Sequence, residues 1–173
     1  GRRGLFALIA GTLALHGLDV VGAEAFTGAD GTAVDEFRIL RAAGTSPNWS
    51  KIAHDLRGVL SGEVDIDARL EQRIKSQGRS RRAISATPPR FEVLISNEAS
   101  DSTTIIDVRA PDAPATLYRL SHALAGAGYD IRSAKVATLG HEVVDVFYVV
   151  GAEGKLPEDS HADVRACLTS ALA

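Results

Sequence analysis

Two short segments of this sequence bring together groups that could hold a charged small molecule. In one, Gly1-Arg2-Arg3-Gly4 runs into the apolar Leu5-Phe6-Ala7, and Asp19 follows after one helix length. In the other, Pro111-Asp112-Ala113-Pro114-Ala115 runs into Thr116-Leu117, and Asp130 follows at the matching spacing. If each apolar run is a helix, its first amides have no intrahelical acceptor and converge on one point, which suits a carboxylate. An aspartate at the start of the next strand would then accept hydrogen bonds from an α-ammonium group. Loop and aspartate together would grip a free amino acid at both charged ends. The candidate contacts are Arg3, Gly4, Leu5, Phe6 and Asp19 in the first segment, and Asp112, Ala115, Thr116 and Asp130 in the second. A purely structural reading stands beside this one: Asp112 caps a helix, and Asp19 and Asp130 are strand-edge residues.

Other chemistries find little in the sequence. His16, His54, His122, His141 and His161 are scattered, without metal-ligand spacing or a Ser/His/Asp arrangement, and no phosphate-binding glycine loop is present. Cys167 is the single cysteine, which excludes cysteine-rich zinc modules and disulfide scaffolds and fits a reducing cytoplasm. Nineteen basic and 22 acidic residues leave a charge of -3, so no general positive field draws the chain to nucleic acid or anionic lipid. Aromatic residues are 5% of the chain, too few for a base-stacking sheet surface. The apolar run Leu5–Leu15 follows Arg2 and Arg3 as in a signal peptide, but Gly11 and Thr12 interrupt it and Asp19 and Glu24 follow closely. No apolar stretch reaches the roughly 18 residues of a membrane span. No catalytic residue, cofactor or metal is expected within the chain itself.

The elements that must position these groups come from an internal repeat. Shifting the sequence by 111 residues aligns residues 4–27 with 115–138 and matches six of 24 positions, where composition alone gives about two. The matches are Leu13/Leu124, Ala14/Ala125, Gly17/Gly128, Asp19/Asp130, Ala23/Ala134 and Thr27/Thr138. A shift of 110 then brings Val34/Val144, Asp35/Asp145 and Phe37/Phe147 into register. Each copy reads as helix, strand, strand, helix. Leu5, Ile9 and Leu13 form a helical stripe in the first copy, as Leu117, Leu120 and Leu124 do in the second, and Gly17 or Gly128 ends the helix. Strands are expected over 18–27 and 32–40, with Ala29-Asp30-Gly31 as the turn, and over 129–139 and 142–150 around Gly140-His141. Ser46-Pro47-Asn48 opens a helix, and Asp67 is placed to cap a further one. Residues 143–150 are apolar on both faces, which predicts a strand covered on both sides.

The resulting fold class is α+β: two ferredoxin-like βαββαβ units in tandem, with antiparallel sheets and helices on one face. The first unit lacks its opening strand and the second its closing strand within these residues. The division is 1–71 for the first unit, 72–89 for a basic, proline-containing linker, 90–101 for a strand and turn bridging the units, and 102–173 for the second unit. Residues 90–95 are expected to complete the second unit by pairing antiparallel with 103–109. The first unit then needs a strand from upstream residues or another chain.

Five segments carry a family resemblance: Gly4-Leu5-Phe6-Ala7 with Gly17-Leu18-Asp19-Val20; residues 91–101 with Ser96-Asn97-Glu98-Ala99-Ser100-Asp101; Ser133-Ala134-Lys135-Val136-Ala137-Thr138-Leu139-Gly140; and Val143-Val144-Asp145-Val146-Phe147-Tyr148-Val149. The chain resembles the C-terminal tandem ACT region of bifunctional PII uridylyltransferase/uridylyl-removing enzymes over nearly its whole length. The resemblance implies a regulatory glutamine sensor that biases the parent enzyme between modifying the PII protein and removing the group. It implies upstream nucleotidyltransferase and HD hydrolase domains using Mg2+ or Mn2+, a cytoplasmic location, and the PII protein as a partner through that parent; homodimerisation stays open. An ACT interaction or dimerisation module that binds no ligand is the alternative, and the choice between uridylyl and adenylyl transfer is not encoded here. The family loop is typically Asp-Arg-Pro-Gly-Leu. The first copy lacks its aspartate and proline, and the second has Ala115 in place of its glycine, so the resemblance implies better binding in the first copy.

Overall fold

A computed structural model describes residues 4–27, 30, 32–40, 46–77, 91–139 and 141–172. The elements are α1 (Leu5–Leu15), β1 (Asp19–Thr27), β2 (Ala33–Leu40), α2 (Trp49–Ser61), α3 (Ile66–Gln77), β3 (Glu92–Ser96), β4 (Thr104–Pro111), α4 (Thr116–Gly126), β5 (Asp130–Leu139), β6 (Glu142–Val150) and α5 (His161–Leu172). A 3-10 turn, Glu158–Ser160, leads into α5. The strands form one antiparallel sheet in the order β2-β1-β5-β6-β4-β3 rather than two separate sheets. This α+β arrangement is compatible with tandem ferredoxin-like units.

Strand alternation explains how the sheet holds its helices. Phe37, Ala23, Ala134, Phe147, Ile106 and Ile95 stand in register across all six strands. Phe6 of α1, Leu120 and Leu124 of α4, and Val164 and Leu168 of α5 join this row in one buried cluster. Ile52 of α2 packs with Leu13, Val20 and Phe37, so α2 covers the β1–β2 end of the same face. Ile66 and Leu70 of α3 meet Ala7 and Tyr118, which lays α3 across α1 and α4. Because α1 touches the sheet and three helices, burial goes deepest at Phe6, Ala7, Ala10, Gly11, Thr12 and Leu13, while Leu5 and Ile9 of the expected stripe are half-buried.

β3 pairs antiparallel with β4 from Glu92↔Arg109 to Ser96↔Ile105, the hairpin expected of this segment. It is one edge of the sheet and β2 is the other. Asn97 in the turn after β3 accepts from Thr104 Oγ1 at 2.6 Å and donates to the Leu156 carbonyl at 2.9 Å, tying the hairpin to the loop before α5.

Three expectations need correction. β6 is covered on one face: Val143, Asp145, Phe147 and Val149 are buried, whereas Val144, Val146, Tyr148 and Val150 are half-exposed. The described helices all lie on the first face, and apolarity on the second does not by itself supply a cover. Asp65, not Asp67, caps α3, its Oδ1 accepting from the Ala68 amide at 3.1 Å. Asp67 sits inside the helix and accepts from the Tyr118 hydroxyl at 2.8 Å. α3 also runs on to Gln77, where the linker was expected to have begun, helped by a Lys75–Glu71 pair at 3.2 Å one turn apart. Most of the expected linker, 78–89, and the expected turn residues Ala29 and Gly31 lie outside the described residues.

Candidate functional site

α1 begins without a side-chain cap. Gly4 takes φ 82°, and the first helical bond runs from the Leu8 amide to the Gly4 carbonyl at 3.1 Å. The amides of Leu5, Phe6 and Ala7 therefore precede the ladder and face out of the helix end with its partial positive charge. They open on a cleft of about 70 Å³ lined by Gly4, Leu5, Phe6 and Ala7 on one side and Tyr129, Asp130, Ile131 and Arg132 on the other. Ala25, Ala33 and Asp35 form its floor from the first repeat, and Ser121 and Ala125 contribute from α4. Partial burial raises the Asp35 carboxyl above its ordinary pKa. The cleft thus sets outward amides against carboxylates, the two features needed for opposite ends of a zwitterion.

The cleft joins Gly4, Leu5 and Phe6 to Asp130 and does not include Asp19. The reason is helix length. Asp19 follows the C-terminal end of α1, and 11 helical residues place it about 16 Å from Gly4 along the axis. A strand that follows a helix starts at that helix's far end, so a repeat cannot bring its own aspartate to its own amides. The antiparallel pairing of β1 with β5, centred on Ala23↔Ala134, supplies the aspartate of the other repeat instead. Arg3 lies outside the described residues.

The second repeat has the same parts in a tighter arrangement. Ala115 occupies the helix-start position with φ 62°, the only described non-glycine residue with positive φ, and the first bond of α4 runs from Arg119 to Ala115 at 3.0 Å. Thr116 is buried, its hydroxyl donating to the Ala113 carbonyl at 2.8 Å. Asp112 is exposed, with its amide bonded to the His141 carbonyl at 2.8 Å. Asp112, Ala115 and Thr116 are therefore neighbours around one turn, on the side of the sheet that carries α4. Tyr118 stands where the first repeat has Ala7 and is almost fully buried.

The residue that the sequence reading passed over is Asp145. It is 1% exposed, and neither carboxylate oxygen has a hydrogen-bond partner among the described residues. Burial, with the charge of Asp112 adding to it, pushes its pKa up to about 7. The available signal was the register match of Asp145 with Asp35, which lines the open cleft.

Elsewhere the structure offers less. A surface groove of about 320 Å³ along α2 is lined by His54, Asp55, Arg57, Gly58, Ser61, Glu63 and Val64, from one helix and the turn after it. His16 bonds Asp55 at 2.9 Å, joining α1 to α2. No group of three or more metal-ligating side chains occurs among the described residues, and no described helix is long and apolar enough to cross a membrane.

No family model matches the chain. Curated relatives do. A bifunctional uridylyltransferase/uridylyl-removing enzyme of Streptomyces coelicolor is 40% identical over 98% of the chain and 21% of its own length. The enzyme of that name from Azospirillum brasilense is 38% identical over 98% of the chain and 19% of its length, and that of Gluconobacter oxydans 40% over 84% and 16%. The chain spans between about a sixth and a fifth of the length of these relatives.

Proposed function

We propose, for a chain homologous to one region of bifunctional uridylyltransferase/uridylyl-removing enzymes, that it is a pair of ACT-type ferredoxin-like repeats acting as a glutamine-responsive regulatory module. The single observation that carries this is the cleft lined by Leu5, Phe6 and Ala7, whose amides precede the first α1 bond, and by Asp130 of the other repeat. A ligand carboxylate fits the helix end, and its ammonium group fits between Asp130 and Asp35. Because one wall belongs to α1 and the other to β5, a ligand there links the two repeats. Linkage becomes signalling when two arrangements of the repeats bind the ligand unequally, a difference of about 1–3 kcal/mol in typical allosteric proteins. Transfer and removal of uridylyl groups on the PII protein, nitrogen regulation, and the Mg2+ or Mn2+ such chemistry uses belong to the longer protein in this reading.

The test is titration with L-glutamine, L-glutamate and L-asparagine, followed through the backbone amide resonances of Leu5, Phe6 and Ala7. Glutamine is expected to move all three, and Asp130→Ala to weaken that response at least tenfold. The alternative is an interaction module whose repeats serve only to pack together; the direct β1–β5 pairing favours it, because it joins the repeats without ligand. That reading requires concentration-dependent association and unmoved amides with every amino acid.

A further inference from the structure

The sheet has a second face on which no described helix packs. Its centre is apolar: Val144, Val146 and Tyr148 of β6 and Ile105 of β4 stand there half-buried among neighbouring strands. Charges of opposite sign flank that centre. Val146 pairs with Asp107 of β4 on one side and with Lys135 of β5 on the other, so the three form one row across the strands. Strand spacing sets the two charged residues about 10 Å apart at the backbone, with Val146 between them. Each is poorly matched within the chain. Asp107 Oδ1 is buried without a hydrogen-bond partner among the described residues and stands 3.9 Å from Arg109 Nε. The Lys135 ammonium lies over the Tyr148 ring, 5.7 Å from its centre, and pairs with no carboxylate among the described residues.

We propose that this face is a self-association surface, on which a second copy of the chain packs face to face about a two-fold axis parallel to β6. Rotation about that axis carries β4 over β5, so Asp107 of each copy meets the partner's Lys135 and its orphaned oxygen gains a donor. Val146 and Tyr148 meet their own counterparts at the centre. The neighbouring rows set Ile105 against Ser133 and Arg109 against Ala137, with no like charges opposed. An axis running across the strands would instead set Asp107 against Asp107 and Lys135 against Lys135, which is repulsive. The charge pattern therefore selects one of the two ways of stacking these sheets with strands aligned. Five strands, all but β2, overlap in that arrangement. At ordinary strand dimensions they bury about 1,000 Å² in total, the size of a weak, reversible dimer.

The amino-acid cleft draws Ala25 and Ile131 from the helix-covered side, so cleft and self-association surface stand or fall separately. Sedimentation equilibrium of the whole chain is expected to show a monomer–dimer equilibrium in the micromolar range. Asp107→Lys and Lys135→Glu, each alone, are expected to weaken it at least tenfold, because each opposes like charges across the axis. Mixing the two single variants restores both opposite-charge pairs, so the mixture is expected to form a heterodimer about as strong as the wild-type dimer. A chain that stays monomeric up to millimolar concentration overturns the proposal. Single variants that dimerise like the wild type also overturn it, as does a mixture that associates no better than its components. Lys135 is exposed, and its variant decides the matter alone if Asp107→Lys does not fold: unchanged dimerisation overturns the proposal. Glutamine shifts at the Leu5, Phe6 and Ala7 amides in a strictly monomeric chain would sink this surface and leave the cleft reading standing.

Discussion

At the scale of single residues the sharpest consequence concerns Asp145. An aspartate in an unfolded chain titrates near pH 4, and burial moves this one to about 7 in the folded protein. Between those values the folded state binds the extra proton, so stability falls as pH rises from about 4 to about 7 and levels off above it. The charged group that faces Asp145 is Asp112 from the loop before α4; its strand neighbours Val108 and Val136 contribute none. Asp145→Asn is expected to remove this loss, making the variant more stable than the wild type at pH 8 by a few kcal/mol, with a much smaller difference at pH 5. Urea denaturation at both values checks it, and parallel stability–pH curves would show that Asp145 holds no proton. The sequence offered the Asp35/Asp145 match but not its meaning, because burial depends on α4 closing over the strand. For Asp19 the legible part was its place at a strand start. Its partner was not legible, since which repeat supplies the facing amides depends on how β1 and β5 pair.

At the scale of elements, two close approaches decide how the helices and the β3–β4 hairpin are held. α1 crosses α4 at Gly11, where an added Cβ would lie 2.7 Å from Tyr118 Cδ2 and 3.1 Å from Ile66 Cγ1. Exchanging a mid-helix glycine for alanine ordinarily gains about 1 kcal/mol. Here Gly11→Ala is expected to lose about 1–3 kcal/mol through overpacking, and to become favourable in a Tyr118→Ala background. A double-mutant cycle by thermal denaturation reads that reversal. The hairpin depends on Thr104, fully buried, whose hydroxyl donates to Asn97 Oδ1 and accepts from the Leu156 amide at 2.8 Å. Thr104→Val keeps the shape but strands both partners, so a loss of about 2 kcal/mol is expected, with the urea m-value unchanged. Helices and hairpins were legible because their signals are local: spacing, Gly17 and Gly128, and alternation. The cap of α3 was misplaced by two residues because Asp65 and Asp67 both satisfy the sequence rule, and Tyr118 claims one of them.

At the scale of the whole molecule the question is whether the repeats behave as one body. β1 and β5 share only three register pairs, Gly22↔Lys135, Ala23↔Ala134 and Glu24↔Ser133, a thin seam for two halves. The core does not respect that seam. Phe6 and Ala23 of the first half lie in one buried cluster with Phe147, Leu120 and Leu124 of the second, and α3 joins α4 through Tyr118 and Asp67. Losing either half would expose the other's apolar row, so a single cooperative transition is expected. Trp49, the one tryptophan, lies in α2 and reports the first half alone, while far-UV circular dichroism reports both. Their urea midpoints are expected to coincide without ligand and to rise together with L-glutamine. At 100 times the dissociation constant that rise corresponds to about 2.7 kcal/mol for one site. If the Trp49 transition came first, the first half would unfold independently, and a ligand bridging α1 and β5 would then have to draw the two transitions together. Separate midpoints that glutamine leaves separate would mean that no ligand spans the repeats, and the regulatory reading would lose its physical basis.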